Sequence, residues 1–233
     1  MNFNPENMAV IGASGAIGSA FAKVLAQQHP NASLFTFSRK GPHVIDYHNE
    51  ESLAQAAALA AKEKPLDLVI VATGILHGEG LMPEKSLRSL SAEQFQRVFE
   101  GNTITPALIA KHFLPKLNRE RPAIFAALSA RVGSISDNRL GGWYAYRASK
   151  AALNMIIKNA SIEMGRTHKQ AIIVGLQPGT VDSHLSKPFQ GNVPEGGLFT
   201  PEYSATSLFE MLKNLSPEQT GKCFAWDGEE IEP

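Results

Sequence analysis

The chain has 233 residues, and its 22 Lys and Arg balance 22 Asp and Glu for a formal net charge of +0. That length suits one large domain with a sizeable buried core. The balanced charge excludes the strong field that steers nucleic acid or an anionic membrane, and the single cysteine, Cys223, excludes a disulfide framework or a cysteine-rich metal site.

The first residues, Met1-Asn2-Phe3-Asn4-Pro5-Glu6-Asn7, have neither a basic region nor an apolar run, so no secretory signal is expected. No uncharged apolar stretch approaches the roughly 18 residues of a membrane span. A cytoplasmic protein is the expectation. The strand Met8-Ala9-Val10-Ile11 runs into a glycine-rich turn, and a helix is predicted over Ala16 to Gln28. Ser33 to Phe37 reads as a second strand, Val44-Ile45 as a short third, and Glu51 to Lys62 as an alanine-rich helix. Leu66 to Ala72 is a strongly apolar strand, Ala92 to Leu117 a long helix and Ala123 to Leu128 a fifth strand. A helix over Tyr144 to Met164 leads to a sixth strand over Ala171 to Leu176. Thr200 to Leu215 reads as helix and Cys223 to Trp226 as the last strand.

Continuous apolar strands separated by helices of crossover length predict an α/β fold. The expected form is a Rossmann-type, doubly wound parallel sheet with helices on both faces, a single domain spanning 1–233. The one long irregular segment, 182–199, holds Pro188, Gly191, Pro194, Gly196 and Gly197. Irregular loops of that length are often lids, here over a substrate.

The turn Gly12-Ala13-Ser14-Gly15-Ala16-Ile17-Gly18 lies between the first strand and the first helix. Glycine lets backbone approach a ligand closely, and the exposed N–H groups of a helix start suit a pyrophosphate. Gly12, Ser14, Gly15, Ile17 and Gly18 are therefore candidate cofactor contacts. The second strand ends Phe37-Ser38-Arg39-Lys40 without the acid that would bind the ribose of NAD. A hydroxyl and a guanidinium, Ser38 and Arg39, instead suit a 2′-phosphate, which favours NADP(H) over NAD(H). Asp46 can accept a bond from the adenine amino group or cap its own turn. In Tyr146-Arg147-Ala148-Ser149-Lys150, a helix puts Tyr146 and Lys150 on one face, where an ammonium favours a phenolate and lowers its pKa. The seven histidines show no metal-ligand spacing, and no metal is expected.

The glycine turn followed by Tyr146-x-x-x-Lys150 resembles the short-chain dehydrogenase/reductase family over essentially the whole chain. Ser129 to Lys150 and Phe224 to Glu230 are similar to its C-factor and Sniffer-type carbonyl reductase branch. The resemblance implies an NADP(H)-dependent reductase of an aldehyde or ketone, with Tyr146 protonating the oxygen and Lys150 lowering its pKa and bonding the cofactor ribose. It implies a backbone relay at Asn102, cofactor contacts from Ala72, Thr73 and Gly74, and a closing segment with Pro178, Gly179, Val181 and Ser183. It also implies a mainly apolar pocket from Trp143, His184, Leu185 and Phe189, and a homodimer or homotetramer. Independently, the helical partner of the Asn102 carbonyl is residue 106, and Pro106 has no N–H. A free carbonyl is therefore expected at Asn102. Ala130 stands where the family's serine bonds the substrate oxygen. Ser129 can substitute if the strand is bulged or twisted there. Ser134 is the other candidate, and Tyr146 alone the third possibility. An epimerase and a catalytically weak NADP(H)-binding signalling protein are the other readings left open.

Overall fold

Apolar side chains on alternate residues of the same strands fill two separate cores, one on each side of a sheet. In the computed structural model, which describes residues 3–232, Met8 and Val10 enter one core while Ala9 and Ile11 enter the other. The strands are β1 (Asn7–Ile11), β2 (Ser33–Ser38), β3 (His43–Val44), β4 (Leu68–Val71), β5 (Ala123–Leu128), β6 (Ala171–Gln177), β7 (Thr180–Val181), β8 (Leu198–Phe199) and β9 (Cys223–Ala225). Seven of them form one sheet in the order β3-β2-β1-β4-β5-β6-β9, with every pair parallel. The helices are α1 (Ala16–Gln28), α2 (Glu50–Ala60), α3 (Ala92–Phe99), α4 (Thr105–Phe113), α5 (Tyr144–Met164) and α6 (Pro201–Lys213).

Phe21 and Leu25 of α1 join Phe209 and Leu212 of α6 on one face. Leu53 of α2, Phe113 of α4, and Leu153 and Ile157 of α5 cover the other. This is the expected doubly wound α/β architecture. The chain order reverses between β1 and β4, so a crevice opens at the carboxyl ends of those two strands, where such sheets hold ligands. No helix among the described residues is long and apolar enough to cross a membrane.

Two segments differ from the sequence expectation. The helix foreseen over Ala92 to Leu117 is interrupted by a π-helical turn, Glu100–Ile104, and ends in a 3-10 turn, Leu114–Lys116. The Thr105 N–H reaches back to the Glu100 carbonyl, one residue beyond the α partner. Pro106 brings no N–H to the ladder, and widening the preceding turn redistributes the bonds it interrupts. The segment 182–199 is also less irregular than expected. Lys187–Asn192 forms a 3-10 helix and β8 pairs with β7. Gln190 Nε2 ties this helix back to Asp182 and Ser186 at 2.9 and 2.8 Å.

Candidate active site

Gly12 carries the positive φ of the turn, +87°, and a Cβ there would lie 2.7 Å from the Ala72 carbonyl. A Cβ on Gly18 would collide with the Gly12 carbonyl, so this glycine lets α1 start tight against the turn. Gly15 is different: its φ is −76° and it serves as the N-cap of α1. No side chain caps α1 and its first turn holds no acid. The orphan N–H groups and the positive end of the dipole therefore have no acid of that turn competing for them, an arrangement that suits a pyrophosphate. Ser14 is exposed and Ile17 half-buried beside them.

At the end of β2, the Ser38 hydroxyl donates to the Lys40 carbonyl, while Arg39 and Lys40 are exposed. Tyr47, not singled out by the sequence, lies half-buried against Gly12 and Arg39. Burial raises its phenol pKa, with the Arg39 charge and the Gly12 N–H opposing the rise. Asp46 caps its own turn, Oδ1 accepting from His48 N–H at 3.0 Å. Beyond β4, Ala72 is half-buried, and the Thr73 Oγ1 is enclosed without a hydrogen-bond partner. A Cβ on Gly74 would sit 3.1 Å from Asn102 Oδ1 and 3.6 Å from Lys150 Nζ. The fully buried Asn102 clamps that loop with its side chain, Nδ2 donating to the Ile75 carbonyl and Oδ1 accepting from Ile75 N–H, both at 2.8 Å. Its Nδ2 also reaches Ser149 Oγ at 3.2 Å, one residue before Lys150. The sequence pointed to this asparagine by its backbone; the tertiary structure shows its side chain joining the β4 loop to α5.

Tyr146 and Lys150 do share a face of α5, with Nζ 5.8 Å from the centre of the tyrosine ring. The expected lowering of the Tyr146 pKa is corrected by the structure. Burial pushes the phenol up to about 12, although its ring keeps partial exposure, and pushes Lys150 down to about 8. The ammonium donates to the Leu128 carbonyl at 2.8 Å and is enclosed among β5, β9 and α5. Desolvation penalises each charged form, and it outweighs the attraction of a phenolate for an ammonium that is itself poorly solvated.

Ser129 does not meet the condition set for it. Its N–H continues the β5 ladder to Leu176 at 2.7 Å, and Ala130 stays extended at φ −161°. Without a bulge the alternation holds. Ser129 is buried, its hydroxyl donating to Asn154 Oδ1 at 2.6 Å beside the Cys223 thiol, whereas Ala130 is partly open. The Ser134 Oγ accepts from Asp137 N–H at 3.1 Å and so caps its own loop.

On the outer side, Trp143 packs edge-on to Tyr146 at 6.2 Å and to Phe189 at 4.9 Å. Phe189 continues to His77 at 5.8 Å, and His77 stacks on His184 at 5.2 Å and bonds its carbonyl at 2.9 Å. Leu185 is exposed beside them. His77 gave no sequence signal, being a lone histidine in a loop. The Pro178 carbonyl accepts from Ser204 Oγ at 2.7 Å, Gly179 faces the Phe199 ring, and Val181 is buried. The Ser183 hydroxyl caps the next turn through Ser186.

A family model described as short chain dehydrogenase matches residues 39–193. Among relatives, 1-hydroxy-2-glutathionyl-2-methyl-3-butene dehydrogenase of Rhodococcus sp. (strain AD45) is 35% identical over 185 residues, covering 79% of this chain and 76% of the relative. C-signal of Myxococcus xanthus is 29% identical over 167 residues, 72% of this chain and 92% of that protein. Among solved structures, NADPH-bound carbonyl reductase from chicken fatty liver superposes with a TM-score of 0.83 at 24% identity, covering 98% and 99% of the two chains. Carbonyl reductase Sniffer of D. melanogaster gives 0.83 at 21% identity, covering 99% and 100%.

Proposed function

The chain belongs to the short-chain dehydrogenase family, and on that premise we propose that it reduces an aldehyde or ketone with NADP(H), Tyr146 acting as proton donor. The observation that carries this reading is the grouping of Tyr146, Lys150, Gly74 and Asn102 at the end of the sheet where α1 presents its uncapped start. The residues fit a dinucleotide. Gly12, Ser14, Gly15, Ile17 and Gly18 would hold the pyrophosphate, Ser38 and Arg39 the 2′-phosphate, and Asp46 the adenine. Ala72, Thr73 and Gly74 would line the ribose side, where the unpartnered Thr73 Oγ1 offers a hydroxyl. Pro178, Gly179, Val181 and Ser183 would close over the carboxamide. When bound, the reduced cofactor supplies the hydride.

This chain's residues supply the rest. Tyr146, with its pKa at about 12, holds its proton at neutral pH and can deliver it to the carbonyl oxygen. Lys150 remains mostly protonated below its value of about 8 and stabilises the phenolate left behind. The Asn102 backbone serves as the relay toward Lys150. Trp143, Phe189, His184 and Leu185 form an apolar wall, with 182–199 as the lid, which suits an apolar carbonyl. We place the protein in the cytoplasm as a homodimer or homotetramer.

Mixing the protein with NADPH and a panel of carbonyls tests the reading. Oxidation that falls at least about 100-fold in Tyr146→Phe is expected; an unaffected rate would remove Tyr146 as the acid. Ala130 and the diverted Ser129 hydroxyl favour a second reading, a catalytically weak NADP(H)-binding signalling protein. Tight NADPH binding with no turnover on any carbonyl would select it.

A further inference from the structure

Among the described residues, Trp143 is the one non-glycine with positive φ, at +51°. It follows Gly141 at +62° and Gly142 at +65°, so three successive left-handed residues precede α5. A bulky residue persists in that region only where its surroundings over-determine it. Glu84 supplies the hold. Its backbone carbonyl accepts from Trp143 N–H at 2.6 Å, and its carboxylate Oε2 accepts from Ala145 N–H at 3.2 Å. The main chain and the carboxyl group of Glu84 thus grip the two sides of Tyr144, the Ala145 bond being the one a substitution at 84 removes, and Tyr146 follows Ala145 along α5.

Glu84 is only 3% exposed, and its Oε1 has no hydrogen-bond partner. The Glu84 Oε2 thus takes one of the N–H groups that the start of α5 leaves without a helical partner. We propose that Glu84 is a positioning residue: it locks the left-handed Gly141-Gly142-Trp143 turn, so that the Trp143 ring stands across Tyr146 and Phe189 and the tyrosine hydroxyl is aimed. The proposal rests on Tyr146 being the proton-transfer group. The distances make the chain of contact continuous, from Glu84 to Trp143 and from its ring to Tyr146 at 6.2 Å and Phe189 at 4.9 Å.

The test uses the full chain with Trp226→Phe, which leaves Trp143 as the sole tryptophan. In that background, Glu84→Ala should lower kcat by about tenfold or more while leaving the NADPH dissociation constant unchanged, because misaim alone slows the chemistry. Acrylamide quenching of Trp143 fluorescence should rise, and Glu84→Gln should restore both kcat and quenching toward the parent. With Trp143→Gly the left-handed backbone is unstrained, so adding Glu84→Ala should then cost little more. Equal quenching in parent and Glu84→Ala would overturn the proposal. So would Glu84→Ala and Glu84→Gln losing melting temperature, NADPH affinity and kcat together. Should Glu84→Ala not fold, Glu84→Asp, which keeps the carboxyl group and shortens the reach to Ala145, must show the same split. If the parent turns over no carbonyl, the proposed activity fails, while the quenching comparison still decides the clamp.

Discussion

Replacing Lys150 by methionine removes a buried ammonium and leaves a side chain of similar length. The lysine is 3% exposed, and burial lowers its pKa from 10.5 to about 8. At about 1.4 kcal/mol per unit, keeping that charge in the folded protein at pH 7 costs roughly 3 kcal/mol. Between about 8 and 10.5 the unfolded chain holds a proton that the folded protein has released, so parent stability rises with pH through that window. Lys150→Met lacks this contribution. Any stability advantage over the parent should therefore shrink by about 3 kcal/mol from pH 7 to pH 10.5. The unpaired Leu128 carbonyl adds a penalty of about 1–3 kcal/mol at every pH, which shifts the offset and leaves the slope intact. Urea denaturation of both proteins across this range measures the difference, with equal m-values confirming comparable unfolding. A difference constant with pH would refute the burial argument. The same group ties activity to pH: carbonyl reduction should decline as pH rises through about 8 and Lys150 loses its proton.

Three further outcomes follow from the geometry. Ala130→Ser restores a hydroxyl on the open side of β5, and kcat should rise by about tenfold or more if a second donor to the carbonyl oxygen is what the site lacks; steady-state rates on the same carbonyl decide it. Arg39→Ala should weaken NADPH binding roughly tenfold and leave NADH unchanged, read by fluorescence titration of each cofactor, whereas equal affinities in the parent would remove the phosphate role. Gly18→Ala sets a methyl against the Gly12 carbonyl, so calorimetric melting should fall and NADPH affinity with it. An unperturbed protein would mean that the turn relaxes freely.

Much of the candidate site's geometry was legible because it is local. The glycine turn announces itself between a strand and a helix, and four-residue spacing alone puts Tyr146 and Lys150 on one face. Pro106 marked the weak point of the long helix through its missing N–H, although the response, a π turn beginning at Glu100, depends on packing around the fully buried Asn102. Ser129 shows the other side. Its type and position suited a replacement donor, yet an unbroken ladder to Leu176 turns it toward Asn154, which lies 25 residues away in sequence.

By itself, the sequence determined the alternation of strands and helices, the parallel sheet, the glycine turn and the shared helix face of Tyr146 and Lys150, because periodicity and backbone chemistry act between near neighbours. Only the tertiary structure decided which way the protons lean, with Tyr146 raised and Lys150 lowered, and which distant residues hold the site. Asn102 bridges Ile75 to α5, His77 meets His184 and Phe189, and Glu84 grips the turn before Tyr146. Desolvation and long-range contact depend on what the whole chain folds over a group, and no spacing along the chain encodes that.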